Sequence, residues 1–410
     1  VKRLFRSTFL NTLSASEKRD YLVLLLVATL YFTSNSMMIY TPKFIVAIGG
    51  EADLVGRLIF MQLIPFLMLS LFSGHLSSLY GSKWLVVCGC FIHVILRTLY
   101  PQMEHISPML TLLAIGNGFA HVMVFTPLFA AVARCVPDQK KAQGIGYFTV
   151  AIQIGNSMGT LIGEELFTRY GFQLFFHTAA MLALTSALFC LALKDSPRAS
   201  HTTPDSSNSS SSSAMRHTMR HHPFTLVLGG LLLIMIMGMI LGTTLQFISL
   251  FFDQINSTLS SGRMIPAKSF LTSAMLTIAL VRFTVGRTLD GPYRSFILRF
   301  CHAGLLISLI AIPFISSLTS SILIAIGFGL SYGLIYPSLN AEVLTICPAQ
   351  HRGKVSGALT LVFETGFRGY APIAGSLIVL SGYSALFWTT ALIYLAGLFI
   401  YYLHKRHLSL

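Results

Sequence analysis

Apolar runs of about twenty residues recur along the whole chain, separated by short polar or Gly/Pro breaks. A bilayer core of roughly 30 Å takes about 20 apolar residues per helix, so each run predicts one crossing. The runs fall at 20–45, 53–79, 83–101, 108–134, 143–168, 172–194, 224–251, 267–286, 293–315, 319–345, 354–380 and 383–403, which predicts twelve transmembrane helices. The alternating pattern of a barrel strand is absent, and helices are the other way to satisfy backbone groups in hydrocarbon. The first run is too long for a cleaved leader and lacks a small-residue cleavage site, so it reads as a span.

The pattern repeats at one offset. Ala114-Ile115-Gly116-Asn117-Gly118 returns 211 residues later as Ala325-Ile326-Gly327-Phe328-Gly329. Pro137, Gln139, Lys141 and Gly146 return as Pro348, Gln350, Arg352 and Gly357, while Gly155 maps to Gly366 and Gly171-Phe172 to Gly382-Tyr383. An offset of six spans keeps both copies in the same orientation, giving two parallel six-helix repeats in an all-α membrane protein. The expected domains are an N-terminal bundle (1–194), a Ser/His-rich cytoplasmic linker (195–223) and a C-terminal bundle (224–410). The linker's serine run, 209–213, cannot support a packed core.

Composition agrees with lipid as the solvent: 54% of the 410 residues are hydrophobic and 10% charged, against roughly 25% charged in soluble domains. The net charge of +14 would suit a nucleic-acid binder, but most basic residues cluster in alternate loops, including Lys18, Arg19, Lys83, Lys140, Lys141, Arg352 and Lys405. That bias points to topology control rather than nucleic-acid binding, with both termini cytoplasmic. The six cysteines have no metal-like spacing and read as small buried hydrophobes. No metal and no cofactor is expected, and the chain is expected to act as a monomer in the bilayer.

Gly74-His75-Leu76-Ser77-Ser78-Leu79-Tyr80-Gly81-Ser82-Lys83 follows the second span, and Arg282, Gly286, Arg287, Asp290 and Gly291 follow the eighth. The first segment resembles the G-x-L-x-D-x-x-G-R-[KR] loop of the major facilitator superfamily, and with the Pro137 and Pro348 loops the resemblance covers nearly the whole chain. It implies a twelve-helix, 6+6 transporter working by alternating access, with Gly74, Gly81, Lys83, Arg282, Gly286, Arg287 and Asp290 as conformational-gate positions. Ser78 stands where the family usually has Asp, so the N-terminal charge lock is expected to be the weaker one. The fourth span has no Arg where many proton-coupled members carry one. The fifth span, with Gly155, Gly159 and Gly163 four apart, looks like the glycine-rich signature of the family's antiporters. Such a strip equally serves close helix packing; the resemblance favours export.

Charged and polar residues inside the spans are site candidates, because a carboxylate at a helix centre costs a few kcal/mol unless it is paired or hydrated. Glu364 lies near the middle of the eleventh span with Arg368 at i+4, within reach of an ion pair. The pair either neutralises itself structurally or couples protons, since protonating the carboxylate would release Arg368 and bias the access states. Glu164 and His121 are further proton-coupling candidates. Asn35, Gln62, Asn117, Gln153, Asn156 and Gln246 are candidate cavity residues. Glu342 is expected at a gate or loop contact, and Arg57 and Arg97 are expected to reach headgroups.

These features predict a proton-coupled exporter of a small, amphipathic or anionic molecule from a bacterial cytoplasm across the inner membrane. No G-x4-G-K-[ST] loop exists to use ATP directly. A symporter importing a nutrient or metal chelate is the nearest alternative, and a transport-inactive sensor or scaffold is another. No G-x-S-G, G-x-G-D or H-E-x-x-H motif points to an enzyme.

Overall fold

The computed structural model describes residues 13–137, 140–193, 224–259, 264–284, 293–346 and 352–408. The expected linker and the gate positions Gly286, Arg287 and Asp290 lie outside the described residues. The helices are α1 Ala15–Met37, α2 Thr41–Ala47, α3 Ala52–Met61, α4 Leu63–Tyr80, α5 Ser82–Leu99, α6 Met109–Cys135 and α7 Lys141–Leu191. They continue as α8 Phe224–Thr258, α9 Ala267–Thr284, α10 Arg294–Ala311, α11 Leu318–Ile346, α12 Arg352–Gly369 and α13 Ala371–Leu408.

Local chemistry sets several boundaries. Ser14 caps α1 in a capping box: its Oγ accepts from the Glu17 N–H, and the Glu17 carboxylate accepts from the Ser14 N–H. A 3-10 turn at Met38–Tyr40 joins α1 to α2 within the first span. The α3–α4 junction at Gln62 divides the second.

Among the described residues nine helical stretches are long and apolar enough to cross a membrane, two of them 49 residues long: Gln143–Leu191 in α7 and Val355–Leu403 across α12 and α13. A straight helix of that length would measure about 75 Å at 1.5 Å per residue, more than twice the hydrocarbon core. Both break at a glycine with left-handed backbone: Gly171 (φ 81°, ψ 173°) in α7 and Gly382 (φ 80°, ψ 172°) in α13. Each has the length for two crossings, and with the 18-residue α9, about 27 Å long, the described helices are consistent with twelve spans.

Side-chain register gives the direction of each arm. The Tyr21 hydroxyl donates to the Gly144 carbonyl at 2.7 Å, Ser36 Oγ to that of Asn156 at 3.0 Å, and the Tyr40 hydroxyl to that of Thr160 at 2.8 Å. The numbers rise together, so the first and fifth spans run parallel. Past Gly171 they run oppositely: Ser186 Oγ donates to Val27 O at 3.1 Å, and the Phe44 and Phe176 rings lie 5.1 Å apart. The second half repeats this. A Cβ on Gly238 or Gly242 of α8 would strike the carbonyl of Phe363 or Phe367 in α12, a parallel pairing. Phe251 meets Phe387 at 5.4 Å while Gly397 packs on Ile236, an antiparallel one.

The glycines of the fifth span are packing residues. A Cβ on Gly155 or Gly159 would strike the carbonyl of Thr29 or Thr33 in α1, and one on Gly163 would press on Tyr40. Gly366 repeats the contact against Met235 O of α8.

The two halves meet at one end. One apolar core joins Met37, Tyr40 and Val55 of the first half to Met239, Phe247 and Ala374 of the second. Another, containing Tyr21, Leu24, Val86 and Phe148, draws on the first half alone. At its level Gly146 and Gly357, equivalent positions of the fifth and eleventh spans, both face open space. The halves are thus joined by an apolar core at the end holding Tyr40, whereas the core at the end holding Gly146 is, among the described residues, that of the first half alone.

Candidate functional site

Glu364 and Arg368 of α12 are one turn apart, both buried, and form an ion pair. The guanidinium also lies over two rings, Phe367 of its own helix at 5.2 Å and Phe66 of α4, in the other half, at 5.4 Å. Such stacking favours a desolvated cation. Phe66 stacks on His121 of α6, centroids 6.2 Å apart. His121 Nδ1 is 2.8 Å from the Tyr31 hydroxyl, which is 3.1 Å from His93 Nε2. A line of polar groups thus crosses from the second half into the first.

Behind it stands Arg97, expected at a headgroup but fully buried. It is near the end of α5, yet it turns inward, donating to Ser34 Oγ and to the Ala179 carbonyl at 3.2 Å. Nε and Nη2 of Arg97 have no protein partner among the described residues. Buried polar groups are normally satisfied, so this region suits water or a polar ligand. Arg57 is exposed and pairs with Asp53 at 2.9 Å.

Of the predicted cavity residues, Gln62 at the α3–α4 junction meets Asn117 of α6: Asn117 Nδ2 donates to Gln62 Oε1 at 3.4 Å. A Cβ on Gly118 would strike the Gln62 backbone, so the glycine permits the approach. Gln153 and Asn156 bond one another along α7 at 2.8 Å. Asn35 and Gln246 are half-buried on α1 and α8. The repeat relates Asn35 to Gln246 and Gln153 to Glu364, each pair 211 positions apart.

Glu164 lies elsewhere, at the joined end. Its carboxylate accepts from the backbone N–H groups of Ala267, at 3.0 Å, and Lys268, the first residues of α9, and from the Tyr40 hydroxyl at 3.4 Å. Those N–H groups have no partner within α9, and the helix dipole adds positive potential there. Glu165 pairs with Lys268 and Arg169, Thr160 with Thr272 at 2.9 Å, and Lys43 with Asp253 at 2.7 Å. Across the molecule Gly375, the repeat counterpart of Glu164, sits against the Ala52 carbonyl. Sequence reasoning placed Glu164 correctly on its helix but had no signal for its partners, which are backbone amides of the other half.

The gate positions that are described are tied within their own halves. Gly74 lies in α4 and Gly81, at φ +80°, makes the turn into α5. Lys83 Nζ donates to Leu193 O at 2.6 Å, and Arg282 Nε to Gly333 O at 3.3 Å. Glu342 likewise stays within one half, bonding Lys405 at 2.8 Å.

Residues 22–368 match the family model described as Major Facilitator Superfamily. An uncharacterized MFS-type transporter of Methanocaldococcus jannaschii is 29% identical over 124 residues, a stretch covering 28% of this chain and 30% of that relative. The fold is similar to the nucleoside transporter NupG, with TM-score 0.78, 14% identity and coverage of 94% of this chain and 99% of that one. It is also similar to a D-xylose-proton symporter, with TM-score 0.73, 13% identity and coverage of 93% and 96%. The doubled hairpins, the halves joined at one end and the family match over most of the chain lead to one assignment: this chain is a multi-pass membrane transporter of the major facilitator superfamily.

Proposed function

We propose that the chain carries a small organic anion together with a proton by alternating access. The observation that carries this reading is the Glu364–Arg368 pair beside the other half's Phe66 and His121. While Glu364 is ionised it occupies Arg368. Once protonated it leaves a buried cation unpaired, and an anionic substrate then restores the balance. Proton and anion therefore favour each other's binding, which is the thermodynamic requirement for cotransport. Arg97 and two histidines nearby, with Glu364 the only carboxylate of the cluster among the described residues, add to the preference for an anion.

Export by proton antiport is the second reading, favoured by the likeness of the fifth span to the family's antiporters; its glycines, however, are accounted for by packing on α1. The positive-charge bias supports a topology with both termini in the cytoplasm of a bacterial cell, in which the Gly146 end would be the cytoplasmic one. The chain would act as a monomer, with bundles 1–194 and 224–410 joined by the linker 195–223.

Reconstituted vesicles suspended with a membrane-impermeant pH dye in the external medium test the proposal against a panel of small carboxylates. Alkalinisation of the medium when an anion is added outside supports cotransport. Acidification supports exchange, and no proton movement with any anion would refute proton coupling for this substrate class.

A further inference from the structure

A second site lies apart from the central pair. A cavity of about 350 Å³ opens between α10, α11 and the last arm of α13, lined by Arg294, Arg299, His302, Glu342, Tyr402 and Lys405 among others. Among the described residues, none of the first half lines it. The volume falls within the range of ligand clefts, roughly 300–1,000 Å³, and the charges are unbalanced. Glu342 bonds Lys405 at 2.8 Å and sits 4.0 Å from Arg294, so three cations face one carboxylate. Among the described residues Arg299 donates only from Nε, in a long bond to its own helix at Ser295 O.

The location points to the bilayer. Arg294 opens α10 and Arg299 follows about 7.5 Å further along its axis, while Lys405 is close to the end of α13. The cavity is therefore at headgroup depth. Beside it the surface is apolar: Tyr293, just before α10, and Phe296 and Phe300 within it are 73%, 66% and 74% exposed, and Leu403 of α13 is exposed as well. A cationic recess bordered by lipid-facing aromatics suits a molecule with a phosphate and acyl chains.

The repeat supplies an internal control. One copy earlier, Arg299, His302 and Glu342 are replaced by Cys88, Phe91 and Ala131. Lys83, the counterpart of Arg294, gives its ammonium to the Leu193 carbonyl. Lys194 stands at the counterpart of Lys405, so the first copy keeps two of the cations, and what the second half adds is Arg299, His302 and Glu342.

We infer that this cavity holds the phosphate of an anionic phospholipid, with Arg294, Arg299 and Lys405 as its donors and the acyl chains lying along Phe300 and Leu403. The inference does not depend on the transported substrate. The full chain, purified in detergent with phosphatidylcholine, is titrated with phosphatidylglycerol while thermal unfolding is followed. The expected result is a rise of about 3 °C or more in the unfolding midpoint, most of it lost in Arg299→Gln, whose bond to its own helix is dispensable. Native mass spectrometry of Lys405→Gln should show fewer retained phosphatidylglycerol molecules than the unsubstituted chain. An equal rise in Arg299→Gln, no rise at all, undiminished retention in Lys405→Gln, or the same rise with inorganic phosphate alone would overturn the assignment to a lipid.

Discussion

Gln153 and Glu364 occupy one place in two copies of the same helix pairing. Each stands two residues before a glycine, Gly155 or Gly366, that lies against a carbonyl of the parallel helix, Thr29 in α1 or Met235 in α8. One turn further on, the first half has Ser157, whose Oγ donates to Gln153 O at 2.8 Å; the second has Arg368. The neutral version of the motif therefore already exists in this molecule, and the charged version is a departure from it.

Glu364→Gln should insert and bind anion with an affinity that no longer varies with pH, since the amide imitates the protonated acid. It leaves a buried arginine unpaired, which costs about 3–5 kcal/mol. Glu364→Gln with Arg368→Ser, which copies the first half, should recover most of that stability and bind no anion. Unfolding midpoints and binding isotherms at two pH values check both. A pH-dependent affinity surviving in Glu364→Gln would remove the carboxylate from the coupling scheme.

Glu164→Gln should weaken the joined end. A carboxamide offers one acceptor oxygen where Glu164 uses both of its own on Ala267 and Lys268. A cysteine introduced at Thr272, which faces Thr160 across the seam at 2.9 Å, should react several-fold faster with a membrane-impermeant maleimide when Glu164→Gln is also present. Unchanged labelling would mean the apolar core alone keeps this end shut.

Tyr31→Phe should lower stability by about 1–3 kcal/mol, the cost of leaving buried partners unsatisfied. One hydroxyl serves both His93 and His121, and no other group among the described residues bridges the two rings. Denaturation in mild detergent measures the loss, and a change under about 0.5 kcal/mol, the lower end of a hydrogen bond's net worth, would show that water can take the hydroxyl's place.

Gly366→Val should separate α8 from α12, because its Cβ would fall on the Met235 carbonyl and crowd the Met239 amide. Overpacking typically costs about 1–3 kcal/mol, and backbone on the other side leaves little room to relax. Gly357→Val, in the same helix but facing open space, is the matched control. Equal expression and melting of the two variants would contradict the packing described here.

The spans and the repeat were legible because apolar run length and glycine spacing are local properties. The Glu364–Arg368 pair was legible for the same reason, being one helical turn. What stayed hidden depends on distant partners. Arg97 reads as a snorkelling end residue until Ser34 and the Ala179 carbonyl are seen to draw it inward. Glu164 gave no hint of its clasp on α9, since backbone amides carry no side-chain signature. Glu342, expected at a gate or loop contact, bonds Lys405 and lies 4.0 Å from Arg294, partners far from it in sequence.

Gly171 and Gly382 reverse the chain within a single residue, with matching torsions. No slack is available there, so the fifth and sixth spans cannot slide past each other, and neither can the eleventh and twelfth. Each hairpin behaves as a one-piece lever whose tip carries Glu164 or its counterpart Gly375. Parting the seam at that tip must swing the far ends of both levers toward the opposite bundle, so the passage cannot stand open at both faces together.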